Sequence, residues 1–392
     1  MKTNIKERLF LKITTSLICA WGLHCSMVFA SPRILFTASG PGPGDTNLYL
    51  MNTDGSGLKE ITTNAQAWAP ALAPDDYRVA YVDSQSNLFI TSIDGMTPVR
   101  VGNTNPATCV QWADENTLFF LTSADGYNFR LWRIGTDGSG ESLVFTNVFV
   151  DYTMGLTAFS VHRETEEIYV TAWAPPNYNS TIEYGSYTDL SPTNVLVTSS
   201  SYQDHYAPVV SPDGAQIAFC ADLTTSPGTH RLYVTSTNGG PGIQLSDVYC
   251  GNPSWSPDGS WLAFTRATNS TYGNSVYVGD IWRVSVEGTN LIDLTTNTPL
   301  GGTCAYPTVF EPPQIVLYAP EVSKNGTVIR WSGGAGLLQT VQEATNGLNK
   351  GWTTLVGATN MQSTGATLTV TDAVLRAADY YRILAQPEPS GP

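Results

Sequence analysis

Three histidines lie beyond residue 30, and they limit the chemistry that this sequence can perform. They are His162, His205 and His230, far apart along the chain. The sequence has no His-Glu-x-x-His motif, no paired-cysteine metal spacing, no Walker loop and no Gly-x-Ser-x-Gly elbow. Glu166-Glu167 is typical of a solvated turn, because no second cluster of ionisable residues accompanies it. We therefore predict no catalytic residues, no metal site and no cofactor.

A second group of residues is suited to binding. Aromatic and polar side chains stand just before a recurring proline-containing segment: Trp68, Tyr152, Asp204, His205, Tyr206, Tyr249 and Tyr306. Rings with a polar tip around a concave opening suit a polar ligand or an extended chain segment. The same rings can instead pack between neighbouring structural units, and the sequence leaves both interpretations open. We predict a ligand-binding surface built from these seven residues.

The cysteines beyond residue 30 provide a third chemistry. Cys109, Cys220, Cys250 and Cys304 allow three pairings. Cys220 ends a predicted second strand and Cys250 enters the next first strand, so both fall toward the same face of adjacent repeats. This placement favours a Cys220–Cys250 disulfide, with four buried thiols as the alternative.

The elements that position these residues form a repeat of roughly 47 residues. Three segments share a proline, two further residues, then Ser or Ala and Pro-Asp: Pro70-Ala-Leu-Ala-Pro-Asp75, Pro208-Val-Val-Ser-Pro-Asp-Gly214 and Pro253-Ser-Trp-Ser-Pro-Asp-Gly259. Three short apolar runs follow each segment, separated by Gly, Pro, Asn and Asp, and they predict strands joined by hairpins. Four strands per unit at this period predict a β-propeller.

The two ends of the repeat array complement each other. Arg33 to Thr62 supplies strands two to four only, and Ala305 to Phe310 supplies only a first strand. Pairing these ends completes a sixth blade and removes the exposed sheet edges. We predict an all-β fold with a closed six-bladed propeller over residues 31–313. Its up-and-down topology places the seven binding candidates at one mouth of the channel and the short Asp-Gly turns on the opposite face.

These motifs resemble a known family. A Ser-Pro-Asp-Gly turn at Ser256 to Gly259, the strand Leu262-Ala-Phe264 and the pair Ile281-Trp282 are similar to the TolB-like six-bladed propeller. The resemblance covers about residues 33–310 and implies the propeller fold. The α/β domain that precedes the propeller in the translocation protein of that name has no counterpart in the sequence.

Residues 314–386 predict a second, smaller β unit. It has five strand candidates separated by turns rich in Gly and Asn: Val328–Trp331, Thr340–Glu343, Trp352–Leu355, Ala366–Val370 and Tyr380–Ile383. The order of a Trp strand, a Trp-Thr strand and a closing Tyr-Arg strand resembles the fibronectin-like β-sandwich appended to many exported bacterial proteins. Residues 387–392 predict a disordered tail.

The first thirty residues have the pattern of a signal peptide. Four basic residues precede an apolar run from Ile13 to Ala30, and small residues stand where cleavage before Ser31 requires them. The pattern predicts export to the periplasm, the cell surface or the medium, without a membrane span in the mature chain. A single membrane anchor is the alternative. The net charge of −14 argues against a nucleic-acid partner.

Together these features predict an exported, non-enzymatic binding or scaffold protein. It is expected to be a monomer that holds a protein or glycan partner at the channel mouth. The alternative is a polysaccharide lyase or hydrolase acting at the same mouth, and a third interpretation is a rigid spacer in the cell envelope.

Overall fold

A computed structural model gives the fold of most of the chain. It describes residues 32–39, 45–93, 95–123, 128–149, 159–174, 179–187, 194–197, 202–223, 226–240, 242–246, 250–267, 279–300, 303–312, 315–317, 321–323, 326–333, 337–344, 353–355, 357–359, 361–362, 368–372 and 380–387. These residues form strands and turns but no helix, so none of them belongs to a helix long and apolar enough to cross a membrane. They fall into two compact units, Pro32–Glu311 and the residues from Pro312 onward. The predicted signal peptide lies outside the described residues.

The first unit arranges its described strands in four-strand antiparallel sets, which we number along the chain. Set 1 contains β1 (Arg33–Ser39), β2 (Thr46–Asn52), β3 (Lys59–Glu60) and, from the far end of the unit, β24 (Cys304–Phe310). Set 2 contains β4 (Trp68–Leu72), β5 (Arg78–Val82), β6 (Leu88–Ser92) and β7 (Val99–Arg100). Set 3 contains β8 (Cys109–Trp112), β9 (Thr117–Ser123), β10 (Asn128–Gly135) and β11 (Ser142–Phe149).

The remaining sets follow the same plan. Set 4 contains β12 (Phe159–His162), β13 (Glu167–Ala174), β14 (Asn179–Ser186) and β15 (Asn194–Val197). Set 5 contains β16 (Tyr202–Val210), β17 (Gln216–Leu223), β18 (Ser226–Ser236) and β19 (Ile243–Gln244). Set 6 contains β20 (Cys250–Trp255), β21 (Trp261–Ala267), β22 (Gly279–Ser285) and β23 (Ile292–Asp293). Sets 2 to 5 are separate sheets, whereas sets 1 and 6 share one eight-stranded sheet.

The two ends of the first unit pair with each other, as the sequence predicts. Strand β24 pairs antiparallel with β1, from Arg33 opposite Phe310 to Ala38 opposite Cys304. The first strands contact one another in the cyclic order β24, β4, β8, β12, β16, β20 and again β24. The sheets therefore form a closed, propeller-like ring, and the prediction of an all-β ring closed by its own ends is confirmed.

Short glycine turns pack sets 1 and 3 against the sets that precede them in the ring. Gly55 and Gly138 lie between the third and fourth strands of sets 1 and 3, with φ angles of 83° and 82°. A Cβ atom would lie 2.5 Å from the carbonyl oxygen of Leu294 at Gly55, and 2.2 Å from that of Val101 at Gly138. Glycine is therefore required both by the left-handed backbone and by the close approach of the preceding set.

A repeated irregularity marks the first strands. The pairing of the first and second strands shifts register next to an X-Pro step in sets 1, 2, 5 and 6. The residue before each proline has a positive φ angle: 54° at Tyr306, 43° at Ala69, 48° at Ala207 and 50° at Asn252. These are β-bulges, which bend the strand and redirect its side chains. The prolines are recognisable in the sequence, whereas the bulges are seen only in the structure.

The second unit contains two antiparallel sheets. One holds β25 (Ile315–Leu317), β26 (Glu321–Ser323), β27 (Gly326–Gly333) and β31 (Leu368–Asp372). The other holds β28 (Leu337–Ala344), β29 (Thr353–Thr354), β30 (Met361–Gln362) and β32 (Tyr380–Pro387). Burial alternates along β27, and the buried Trp331 donates its Nε1–H to Gln339 of β28.

The predicted boundaries of this unit need small adjustments. The short strands β25, β26 and β30 were not among the five predicted strands. Strand β32 also extends one residue into the predicted tail, because Pro387 pairs with Leu337. The rest of that tail lies outside the described residues.

Candidate functional site

The first strands give the ring two chemically different ends. The first strands β4, β16 and β24 carry Trp68, Tyr206 and Tyr306 toward the end at which they begin, which we call the mouth end. Just beyond the opposite end of the first strands lie Asp75 and Asp76 in set 2, Arg163 in set 4 and Glu311 in set 1, and we call this the turn end. The predicted binding residues that the structure describes belong to the mouth end.

Tyr306 occupies the inner side of the ring at the mouth end. It lies in one apolar cluster with Ala69 of set 2, Cys109 of set 3 and Phe159 of set 4, so the cluster joins first strands from four sets. Its side chain is only 8% exposed. Desolvation, with a smaller contribution from Cys109, raises the pKa of its phenol well above the ordinary value. Tyr306 therefore fills the interior here, at a bulge position where sets 2, 5 and 6 have small residues.

Trp68 packs on the same cluster but keeps part of its surface in solvent. It stands two residues before Pro70, as Tyr206 stands two residues before Pro208, so the two rings precede equivalent bulges. Tyr306 directly precedes Pro307, so it lies one position later in its repeat than Trp68 and Tyr206 do in theirs. The structure thus brings Trp68 and Tyr306 together and leaves Trp68 as the more accessible ring.

Tyr206 and His205 lie on opposite faces of β16. The Tyr206 ring is 6% exposed and stacks on His230 with a centroid distance of 4.7 Å. His205 is 1% exposed and contacts Phe219 at 5.6 Å. The His230 backbone N–H donates to Asp222 Oδ1 at 2.6 Å. Both predicted residues thus make packing contacts, and the two histidines use different faces of the sheet.

The other predicted residues are described less fully. Tyr152 and Tyr249 lie outside the described residues, and Asp204 is described only as part of the backbone of β16. Cys220 and Cys250, the predicted disulfide pair, are buried free thiols in the structure, with their Sγ atoms 2.7 Å apart. Within the described part of the chain, no three His, Cys, Asp or Glu side chains are grouped so that they could hold a metal ion.

A charged group that sequence analysis missed lies at the turn end. Arg163 of set 4 donates from Nη2 to the carbonyl oxygen of Leu72 in set 2 at 3.1 Å, and from Nε to that of Trp112 in set 3 at 3.5 Å. Water reaches part of this side chain, yet protein surrounds the guanidinium closely enough that desolvation lowers its pKa. One guanidinium therefore joins three sets.

Asp76 lies beside this guanidinium. Desolvation raises the pKa of Asp76 to about 7, and the carboxylates of Asp75 and Glu311 act in the same direction, while Arg163 opposes them. Asp75 is held differently, because its oxygens accept from the backbone N–H groups of Tyr77 and Arg78 and from the Arg78 guanidinium. The turn end thus contains a carboxyl group that titrates near neutral pH.

Departures from the repeat would have revealed this charged group. Asp76 has a φ of 54° and stands where Gly214 and Gly259 stand in the equivalent turns. Arg163 stands where Pro212 and Pro257 stand. Both substitutions were visible in the sequence, but the weak repeat in set 4 obscured their common location.

Comparisons with known proteins agree with the fold. No protein-family model matches the chain. A protein of Bacillus subtilis (strain 168) named uncharacterized peptidase YuxL is 28% identical over 237 residues, which are 56% of this chain and 33% of that protein. The chain therefore spans about a third of the length of this relative.

Solved structures of TolB proteins are similar to about two thirds or more of this chain. TolB from Acinetobacter baumannii matches with a TM-score of 0.56 and 18% identity, over 71% of this chain and 66% of that one. A putative TolB from Agrobacterium tumefaciens matches with a TM-score of 0.47 and 14% identity, over 67% of this chain and 89% of that one. The chain spans about two thirds of the Acinetobacter protein, and the likeness shows a TolB-like propeller fold.

Proposed function

We propose that this chain is an exported binding or scaffold protein that holds a protein or glycan partner at the mouth end of a six-bladed propeller. The blade count follows from treating sets 1 and 6 as two blades of one continuous sheet. The strand pairing between these sets consists of a single residue pair, Gly279 with Cys304, whereas strands within a set pair over longer stretches. The cyclic contacts of the first strands support the same count.

The observation that carries the binding proposal is the position of Trp68. Its ring rests on the cluster that contains Tyr306 and still exposes part of its surface. A flat aromatic ring on a rigid floor suits contact with a sugar face or an apolar side chain, because it loses little conformational entropy on binding. A β-bulge directly follows Trp68 in β4. Such bulges redirect side chains and are frequent beside functional sites.

The Asp-Gly turns on the other side of the ring have internal roles. Asp54 accepts hydrogen bonds from the backbone N–H and hydroxyl of Ser56, and Asp137 accepts one from the backbone N–H of Ser139. These bonds lower the pKa of both carboxyl groups. The two aspartates complete their own turns, so they serve as controls for the mouth end.

The remaining parts of the proposal rest on sequence. The pattern of residues 1–30 supports export to the periplasm, the cell surface or the medium. The two sheets of the second unit support a small β-sandwich over residues 314–386. We assign this unit an accessory role beside the propeller.

Peptide and glycan arrays probed with the purified full chain test the function. We expect saturable binding to a subset of the probes. Trp68→Ala should weaken that binding at least tenfold, while Asp54→Ala and Asp137→Ala leave it unchanged. Absence of binding to every probe, or equal loss in all three variants, would contradict the proposal.

Elemental analysis of the same preparation separates binding from catalysis. A stoichiometric divalent metal, together with cleavage of a polysaccharide probe, would favour the lyase interpretation. Binding of intact probe by metal-free protein would favour the proposal.

A further inference from the structure

Two cysteines from neighbouring sets meet inside the first unit. Cys220 lies in β17 of set 5 and Cys250 begins β20 of set 6, and their Sγ atoms are 2.7 Å apart. Both side chains have no exposed surface. Both belong to an apolar cluster that also contains Leu232 and Phe264. The two thiols are thus held against each other by the packing of two sets.

The separation is too short for an ordinary non-bonded contact between sulfur atoms. An S–S bond is about 2.05 Å long, so a displacement of well under 1 Å would bring Cys220 and Cys250 to bonding distance. The two strands already place both side chains in the same space between the sets.

The other two described cysteines have different neighbours. Cys304 in set 1 directs its Sγ to the carbonyl oxygen of Leu300 at 3.2 Å. Cys109 in set 3 lies in the cluster around Tyr306. Of the six pairs that these four cysteines could form, the geometry supports the one between Cys220 and Cys250.

We propose that Cys220 and Cys250 form a disulfide that fastens set 5 to set 6. The two thiols lose two protons and two electrons as the S–S bond forms. A thiol–disulfide carrier protein accepts both as its own disulfide is reduced to a dithiol. Such carriers operate in the oxidising compartments to which an exported chain is delivered.

The burial of the two thiols indicates at which stage of folding the Cys220–Cys250 bond forms. Burial raises the pKa of the Cys250 thiol well above its ordinary value, and Cys220 and the Asp222 carboxylate act in the same direction. The thiolate is the species that attacks a disulfide, so a folded dithiol would exchange slowly. The bond therefore forms while sets 5 and 6 assemble, and it then persists as a structural link.

The link supports part of the mouth end. Cys220 is paired across the sheet with Tyr206, whose ring stacks on His230. A bond from Cys220 to the next set holds this strand pair in place beneath Tyr206. The proposal stands independently of any partner.

Alkylation of the unfolded protein tests the bond directly. The full chain, exported to the periplasm of a bacterial host, is unfolded in guanidinium chloride without reductant, treated with iodoacetamide and mapped by mass spectrometry. We expect label on Cys109 and Cys304, and a crosslinked pair of peptides carrying Cys220 and Cys250 that accepts label only after reduction. Full labelling of Cys220 and Cys250 without reductant would overturn the proposal.

Thermal unfolding provides an independent measurement. Reduction and refolding in reductant should lower the Tm of the wild-type chain by about 5–10 °C. The double variant Cys220→Ala/Cys250→Ala should show no such difference between reduced and unreduced samples, while Cys304→Ala should retain it. A wild-type Tm that is insensitive to reduction, or a difference that persists in the double variant, would count against the bond.

Discussion

The mouth end and the turn end of the ring are built from the same strands but differ in chemistry. At the mouth end Tyr306 stands at a bulge where sets 2 and 5 have alanine, and it fills the interior with an aromatic ring. At the turn end Asp76 replaces a glycine and Arg163 replaces a proline, and they place opposite charges next to each other. The residues that follow the repeat build the ring. The residues that depart from the repeat make one end aromatic and the other charged.

Opening the ring would remove the distinction between the two ends altogether. Deletion of residues 300–310 removes β24, which pairs with β1 and contributes Tyr306. We expect loss of the soluble monomer, because unpaired strands of sets 1 and 6 would associate with other chains. Size-exclusion chromatography and thermal unfolding measure this effect, with deletion of residues 388–392 as the control. A monomeric deletion variant with an unchanged Tm would show that the pairing does not close the ring.

The mouth end should be sensitive to the volume of one side chain. Tyr306→Ala should destabilise the protein by about 3 kcal/mol, because it leaves a cavity in a cluster shared by four sets. Tyr306→Phe keeps the ring and should cost less than about 1 kcal/mol. Denaturant unfolding measures both variants. Equal stability of Tyr306→Ala and the wild type would show that the phenol does not contribute to the packing.

The turn end should be sensitive to pH. The pKa of Asp76 is about 7 in the folded protein, above its ordinary value, so the folded state retains a proton that the unfolded state releases between about pH 4 and 7. Stability from this group therefore falls as pH rises through that window. Asp76→Asn removes the buried charge and keeps a residue that tolerates positive φ, so it should stabilise the protein by about 2 kcal/mol at pH 8 and by little at pH 4.

Asp213→Asn is the matched control for this pH effect. Hydrogen bonds from the Ser211 hydroxyl and the Ala215 backbone N–H lower the pKa of Asp213, so its ionised form is favoured by folding. Its replacement should therefore not stabilise the protein at pH 8. Unfolding curves recorded from pH 4 to 8 distinguish the two variants. A stabilisation by Asp76→Asn that is the same at every pH would refute the assignment of the pKa.

The smallest expected effect concerns the contacts that Arg163 makes across the ring. Arg163→Gln removes its hydrogen bonds to Leu72 and Trp112 and should cost about 1 kcal/mol. Arg133→Gln, at an exposed arginine of set 3 whose Nε–H donates to Ser142 of the same set, should change stability by less than about 0.5 kcal/mol. Denaturant midpoints compare the two variants. Equal effects would mean that Arg163 does not connect the sets.

Much of the ring was predictable from sequence because each set repeats the same local signals. Pro-Asp-Gly turns indicate the first hairpin of sets 5 and 6, and short apolar runs indicate the strands that follow. The complementary ends at Ile34 and Val309 were predictable because each lacked what the other supplied. The short strands β25, β26 and β30 were missed, since two or three residues carry too little pattern to indicate a strand.

The candidate site was harder to predict than the fold. Trp68 and Tyr306 were selected as binding residues by their distance from a proline, and the structure places them in the same cluster. Trp68 and Tyr306 differ in exposure because Tyr306 lies in its bulge, whereas Trp68 precedes its bulge. The spacing of residues in the sequence does not specify the backbone φ angles that form a bulge. The contact of Arg163 with Leu72 joins residues far apart in sequence, so only the closed ring reveals it.

Photo-crosslinking of a bound probe tests most directly the claim that the two ends have different roles. The array peptide or glycan that binds most tightly is given a photoreactive group, crosslinked to the full chain and mapped by mass spectrometry. We expect crosslinks around Trp68 and the beginnings of the first strands. Crosslinks concentrated at the turns that contain Asp54 and Asp137, or beside Arg163, would contradict it.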